Sequence, residues 1–232
     1  MVCLWCMRID RFFVNDQLKE GEVVNITDPD IVHQWRKVLR YSPGTPLELC
    51  DNSGYVFAGV LRGYDKGAEV EISERREGNI LKPLTLYMSL IKKDKFELVC
   101  EKATELGVTR IVPITTEYSL EYNLRFDRLE KIVREASEQS ERVSLPEIEE
   151  VKTLEEAIEE APKRSVVLVE RTEGGSLKDA PALFVGPEGG WSGNELKLFA
   201  EKGIEKASLG NQILRAETAG VVGVGAVVLG SR

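Results

Sequence analysis

The sequence predicts an α/β protein: a small β-rich region followed by a parallel sheet with helices on both faces. Three observations carry that prediction. Up to about Glu77, short strands broken by turns predominate. From Thr85 onward, short apolar runs alternate with segments of helical period. Between the two lies Arg75–Lys82, a polar stretch holding Gly78 and ending at Pro83, which reads as a linker. Alternating strands and helices imply parallel strands joined by crossovers that cover both sheet faces. At 232 residues the chain has length for two domains, with expected bounds 1–76 and 77–232.

In the first region, strands are expected at Arg11–Val14, Glu22–Ile26, Leu47–Asp51, Tyr55–Leu61 and Ala68–Ser73. Asn52-Ser53-Gly54 supplies a hairpin turn, since Asn and Gly tolerate the left-handed backbone that tight turns need. A helix is expected over Asp30–Arg40, with Thr27 or Asp28 as its cap and Pro29 at its start. Tyr41-Ser42-Pro43-Gly44 ends it. Several short strands with one helix suggest a small β-barrel.

In the second region the expected order is a strand at Thr85–Ile91, then a helix over Lys95–Leu106 closed by Gly107. A strand at Arg110–Thr115 and helices over Arg125–Ser140 and Leu154–Glu160 follow. Ser165–Glu170 and Ala182–Val185 are apolar strands. The helix Ser192–Lys202 opens with a capping box, Ser192 and Glu195 three places on. Lys206–Leu209 is the last strand, and a helix from about Leu214 closes the chain. Its stretch Ala219–Gly230 is wholly apolar, yet too short to span a bilayer. Small residues recur there at Ala216, Ala219, Gly220, Gly223 and Ala226. Each glycine costs a helix about 1 kcal/mol relative to alanine, so close approach is needed. That approach is either packing against the sheet or a contact with a cofactor or second subunit.

Composition narrows the function. The formal net charge of -8 excludes a generally basic nucleic-acid binder. Much of the acidity sits in 147–160, EIEEVKTLEEAIEE, a solvated helix face with its lead-in. Cys3 and Cys6 form a C-x-x-C without a second pair of ligands, so reduced thiols with no metal are expected. His33 is the only histidine, which removes a His-based metal site and a Ser-His-Asp triad. No signal peptide is legible at the start, and a cytoplasmic location is expected.

Two strand-to-helix turns carry the chemistry. Leu183–Ser192, LFVGPEGGWS, runs from an apolar strand through a Gly-rich turn into a capped helix. Ligands of open α/β sheets bind at the carboxyl ends of strands, where this turn lies. It is neither G-x-G-x-x-G nor a P-loop, and Pro187 removes a donor, so a pyrophosphate cradle fits poorly. A tight turn without a ligand remains the structural alternative. The second turn, Leu209–Ala219, puts Arg215, Glu217 and Thr218 at the mouth of an apolar helix. Glu217 is favoured there by the helix dipole alone, whereas Arg215 is opposed by it. The placement of Arg215 points to function or to an ion pair with Glu188 or Glu217.

With these residues in view, the chain resembles the RsmE family, which methylates N3 of a uridine in small-subunit (16S) ribosomal RNA. The resemblance rests on GPEGG at 186–190 and L-G-x-x-x-L-R-x-E-T-A at 209–219. Further stretches agree: 101–108 (EKATELGV), Glu138-Gln139-Ser140 with Arg142, Pro146-Glu147-Ile148 and Val38-Leu39-Arg40. It covers nearly all of the chain from Met7, leaving the C-x-x-C outside.

The resemblance implies a SPOUT-type methyltransferase domain with a trefoil knot, preceded by a PUA-like RNA-binding barrel, and a homodimer. It implies S-adenosylmethionine as cofactor. By matching position, the cofactor residues are Val169 and Glu170 and the turn Gly186, Pro187, Glu188, Gly189 and Gly190. The second turn adds Leu209, Gly210, Ile213, Leu214, Arg215, Thr218 and Ala219.

Uracil N3 carries a proton and is a poor nucleophile while neutral, so an enzyme must remove the proton or stabilise the anion. Arg215 is the candidate for stabilising that anion, and Glu217 or Glu188 for accepting the proton. For RNA, Arg36, Lys37 and Arg40 form a basic cluster with Trp35 alongside for stacking, extended by Arg142 and by Lys92, Lys93 and Lys95. The partner is small-subunit ribosomal RNA or the assembled subunit. Other readings are a SPOUT enzyme acting on a ribose or another base, and a non-catalytic assembly factor. A nicotinamide dehydrogenase lacks its fingerprint here.

Overall fold

The computed structural model describes residues 9–172 and 175–230. Cys3 and Cys6 lie outside the described residues. The chain divides into two compact units, one of residues up to 80 together with 137–145, the other of 81–136 and 146 onward.

The first unit is a five-stranded sheet in the order β1 (Arg11–Phe13), β3 (Pro46–Cys50), β4 (Tyr55–Tyr64), β5 (Ala68–Glu77), β2 (Val23–Ile26). β1 and β3 pair in parallel and the others antiparallel. β5 runs through Arg75–Glu77, which the sequence placed in a linker. Pairing of Tyr55 with Glu77 continues the hairpin, Arg75 lies 4.5 Å over the Tyr55 ring, and Arg76 meets Glu48 at 2.6 Å. Interactions across strands thus override a locally polar pattern.

Helix α1 (Pro29–His33) is capped by Asp28, whose carboxylate accepts from the amides of Asp30 and Ile31. The expected continuation to Arg40 is a wider π-helical turn, Gln34–Val38, ended by Arg40 at φ 56°. In that turn Trp35 is fully buried, 5.1 Å edge-on from Phe12, so it is core and not a stacking surface. Arg36, Lys37 and Arg40 are exposed, with Arg36 over the Tyr64 ring.

Residues 137–145 complete this unit. Glu138 accepts from the Phe13 amide at 3.0 Å, Leu145 donates to Asn52 at 2.7 Å, and Val143 packs with Phe13, Cys50 and Val56. Arg142, expected to face RNA, is only 7% exposed. Its Nε donates to the Ser144 carbonyl at 3.1 Å, and burial lowers its pKa to about 10. Its task here is structural: it holds its own segment.

The second unit is a parallel sheet in the order β12 (Glu205–Ala207), β10 (Val166–Leu168), β11 (Ala182–Val185), β6 (Thr85–Ser89), β7 (Arg110–Thr115), β8 (Glu147–Ile148), with β9 (Lys152–Thr153) also paired to β7. The period-2 alternation sorts side chains to two faces. Leu86, Met88, Leu183 and Val185 pack with α2 (Lys93–Leu106), α3 (Phe126–Gln139) and α6 (Ala216–Gly230). Tyr87, Val112 and Phe184 pack with α4 (Leu154–Glu160) and α5 (Gly193–Glu201), the Tyr87 and Phe184 rings stacked at 4.3 Å. β11 occupies the slot between β6 and β10, both of which precede it in the chain. Among the described residues, no helix is long and apolar enough to cross a membrane.

Candidate active site

The carboxyl ends of β10, β11 and β12 open into one cleft of about 260 Å³. Its walls come from three stretches: Leu168–Glu170 after β10, Val185–Trp191 after β11, and Ser208–Leu214 after β12. Both strand-to-helix turns therefore converge on one space, although 20 or so residues separate them in the chain.

The β11 turn is shaped by its tryptophan. Trp191 Nε1 donates to the Leu168 carbonyl at 2.9 Å, and its ring meets Phe199 edge-on at 4.9 Å. A Cβ at Gly186 would stand 3.0 Å from the indole, so glycine is needed for the turn to lie against it. Gly190 takes φ +70°, and its amide closes the turn on the Pro187 carbonyl at 2.9 Å. Beyond it Ser192 and Glu195 form the expected capping box, and the other oxygen of Glu195 accepts from the Glu117 amide at 2.9 Å. In the β12 turn, Ser208 and Gly210 bond to one another and Gly210 sits at φ +125°.

Of the residues named for cofactor, Val169, Glu170, Gly186, Pro187, Gly189 and Gly190 line the cleft, as do Leu209, Leu214 and Ala219. Glu188, Gly210, Ile213, Arg215 and Thr218 do not. Leu168, Val185, Trp191, Leu196, Ser208 and Gln212 line it without having been singled out. Trp191 was legible as the large ring closing a run of glycines; the others are placed by strand order alone.

The three candidate catalytic residues stand apart from the cleft wall. Glu188 and Arg215 are exposed, and neither has an ion pair among the described residues. Glu217 is buried in the first turn of α6 and pairs with Lys95, 3.7 Å away, and not with Arg215. The nearby Tyr122 hydroxyl is raised to about 12 by burial and by Cys100, Glu97, Asp94 and Glu188, so it stays protonated near neutrality. Among the described residues, no group of three or more His, Cys, Asp or Glu side chains is placed to hold a metal.

Among the described residues, Glu170 is the only ionisable one on the cleft wall. No lysine or arginine lines the cleft among the described residues, so it suits a neutral or cationic ligand with an apolar body better than a polyphosphate. The residues fit S-adenosylmethionine on that ground, with its sulfonium charge and without phosphate.

A family profile described as an RNA methyltransferase domain matches residues 79–228. A ribosomal RNA small subunit methyltransferase E from Rickettsia conorii is 32% identical, over 97% of this chain and 98% of the relative. The chain belongs to the ribosomal RNA small subunit methyltransferase E family. A Synechocystis member is 36% identical over 82% of this chain and 68% of its own length. The crystal structure of the Neisseria gonorrhoeae member bound to S-adenosyl methionine superposes with a TM-score of 0.85 at 29% identity, covering 94% of this chain and 96% of that one.

Proposed function

We infer that this chain transfers the methyl group of S-adenosylmethionine to small-subunit ribosomal RNA, and we propose N3 of a uridine as the acceptor. The observation that carries the reading is the cleft formed by GPEGG and the 209–219 turn in a member of this family, with no lysine or arginine among its described lining residues. The cofactor supplies an electrophilic methyl on a sulfonium. In the transfer, the bond from methyl to sulfur breaks as the bond to N3 forms, sulfur keeps the electron pair, and the N3 proton leaves to a base.

The chain's residues divide that work. Leu168, Trp191 and Leu214 enclose the apolar body of the ligand, with Val169, Gly186 and Leu209 along the same wall. Glu170 supplies a carboxylate for hydroxyl or amino groups. Arg215, whose exposed guanidinium has no ion-pair partner among the described residues, is suited to orient the uracil and stabilise its anion. Glu188, exposed on the cofactor turn, is the carboxylate open to take the proton, while Glu217 is engaged by Lys95.

The first unit is read as the PUA-like RNA-binding barrel, with Arg36, Lys37 and Arg40 as its phosphate contacts. The knot is supported by β11 entering a slot between two earlier strands and α6 returning against α2. A homodimer is supported by α6, where Val222 and Leu229, seven residues apart on one helical face, are 44% and 60% exposed. A reaction on ribosomal RNA supports a cytoplasmic location.

The test is to incubate the protein with radiolabelled S-adenosylmethionine and small subunits lacking modification, then map the methyl. Label at a uridine N3 is expected. Label on a ribose or another base would replace the acceptor, and cofactor binding without transfer would favour an assembly factor.

A further inference from the structure

Beside the cleft lies an aromatic side chain that the reading above does not use. Tyr118 follows β7 and is 50% exposed. Its root is packed on the cofactor turn: a Cβ at Gly189, a cleft-lining residue, would be 2.8 Å from Tyr118 Cβ and 3.2 Å from its Cγ. Isolated exposed aromatics need no explanation, but this one sits on a short segment held from several sides. The Thr116 amide donates to Ser119 Oγ at 3.0 Å, and the Ser119 amide donates back to the Thr116 carbonyl at 3.2 Å. The Glu117 amide donates to Glu195 at 2.9 Å and the Leu120 amide to the Leu90 carbonyl at 3.0 Å. Two and three residues past Leu90 stand the exposed Lys92 and Lys93.

A ring half open to solvent and seated against the methyl-donor turn, on a segment bonded to the strand end that leads into Lys92 and Lys93, matches what an unpaired base requires. Single-stranded bases are held by stacking on aromatic faces, with cations nearby for the phosphates. Rigidity matters because positioning the acceptor supplies much of the rate in an in-line displacement. We propose that Tyr118 is the platform on which the target base stacks, a substrate-binding residue that sets the acceptor ring against the cleft mouth at Gly189. The proposal rests on the methyltransferase reading. The charge of Glu117, which also accepts a hydrogen bond from the Tyr118 hydroxyl, raises that hydroxyl's pKa above the ordinary value, so the phenol itself stays neutral.

The test compares Tyr118→Ala, Tyr118→Leu, Tyr118→Phe and Tyr118→Trp. It measures kcat/KM for unmodified small subunits, the Kd for S-adenosylmethionine by calorimetry, and thermal melting. Stacking predicts that Phe and Trp retain activity while Leu and Ala lose about ten- to a hundredfold, with cofactor affinity unchanged. Leu restoring activity as fully as Phe would show apolar packing, and would overturn the assignment. So would an unaffected Tyr118→Ala, or a cofactor affinity that falls in step with activity. If the wild type itself transfers no methyl to these particles, the parent reading fails and the platform with it. Wild-type transfer with an indifferent Tyr118 sinks the platform alone.

Discussion

The Lys95 ammonium stands 3.7 Å from a carboxylate oxygen of Glu217, joining the first turn of α2 to the first turn of α6. The two partners are unequal. Glu217 is favoured by the positive end of its own helix, while Lys95 is opposed by its helix. The carboxylate side chain is 11% exposed and the lysine 36%, so the pair lies between a surface and a buried ion pair.

Removing the lysine alone leaves a nearly buried carboxylate without its cation. Lys95→Met is expected to cost about 1 kcal/mol, above the surface range and below the fully buried one. For a chain of this size that lowers Tm by about 2–4 °C. Combining Lys95→Met with Glu217→Gln should cost less than the sum of the two, read by thermal melts as a double-mutant cycle. Additive losses would show that the 3.7 Å approach carries no coupling.

The glycines of α6 separate into two kinds. A Cβ at Gly223 would lie 2.6 Å from Leu183 Cδ2 and 3.0 Å from Leu168 Cδ1, whereas one at Gly225 would meet Leu106 at 3.7 Å. Alanine gains about 1 kcal/mol of helix propensity at either place. Overpacking at 223 costs about 1–3 kcal/mol and outweighs that gain, so Gly223→Ala should lower Tm. Because Leu168 also lines the cleft, its displacement should weaken S-adenosylmethionine binding as well. Gly225→Ala should raise Tm or leave it unchanged with binding intact. Equal behaviour of the two variants in melting and calorimetry would remove close approach as the reason for glycine at 223.

Much of this arrangement is legible locally. The run SVVLVE, Gly107 after α2 and the Ser192–Glu195 box each announce an element by its own chemistry, and the structure places them there. β8 and β9 were invisible because two residues hold no period. Trp35 was misjudged because a π-helical turn changes which side chains face inward, and helical spacing does not encode that turn. A charge in a polar stretch such as that of Arg142 reads as solvated, and its burial follows from tertiary packing that the stretch itself does not display. The cleft divides in the same way. Its two glycine turns are visible as motifs, yet their meeting with Leu168 and Ser208 follows from β10 lying between β11 and β12, a fact of sheet order.

Glu149 gives stability a dependence on acid. A hydrogen bond from Arg110 lowers its pKa, burial opposes this, and Lys152, 2.6 Å away, lowers it further. A carboxyl depressed in the folded state contributes stability that is present above its ordinary value of 4.5 and lost as pH falls through the lowered one. Glu149→Gln should therefore destabilise the protein at pH 7, by about 1–2 kcal/mol for this partly buried, charge-assisted contact. It should make the loss on acidification shallower below pH 4.5. Urea titrations at several pH values read both effects, and parallel acid limbs for the two proteins would contradict the assignment.

Of the seven arginines and lysines that the sequence strings into one RNA track, burial sets Arg142 apart from Arg36, Lys37 and Arg40. Arg36, Lys37 and Arg40 are exposed on the π-helical turn and its end, while Arg142 is buried and bonded to the Ser144 carbonyl. An exposed cation on a phosphate releases a counterion, so each lost contact should reduce the salt slope of single-stranded RNA binding by about 0.7. Arg36→Ala and Lys37→Ala should weaken RNA binding in low salt, flatten its dependence on salt, and leave Tm within about 1 °C, as surface substitutions do. Arg142→Ala should do the reverse. It removes a buried stem and the bond to the Ser144 carbonyl, so melting should fall by several degrees while the salt slope of the protein that remains folded is unchanged. Filter binding from about 50 to 200 mM salt beside thermal melts distinguishes the two groups. A flattened salt slope for Arg142→Ala with Tm intact would return that arginine to the RNA track.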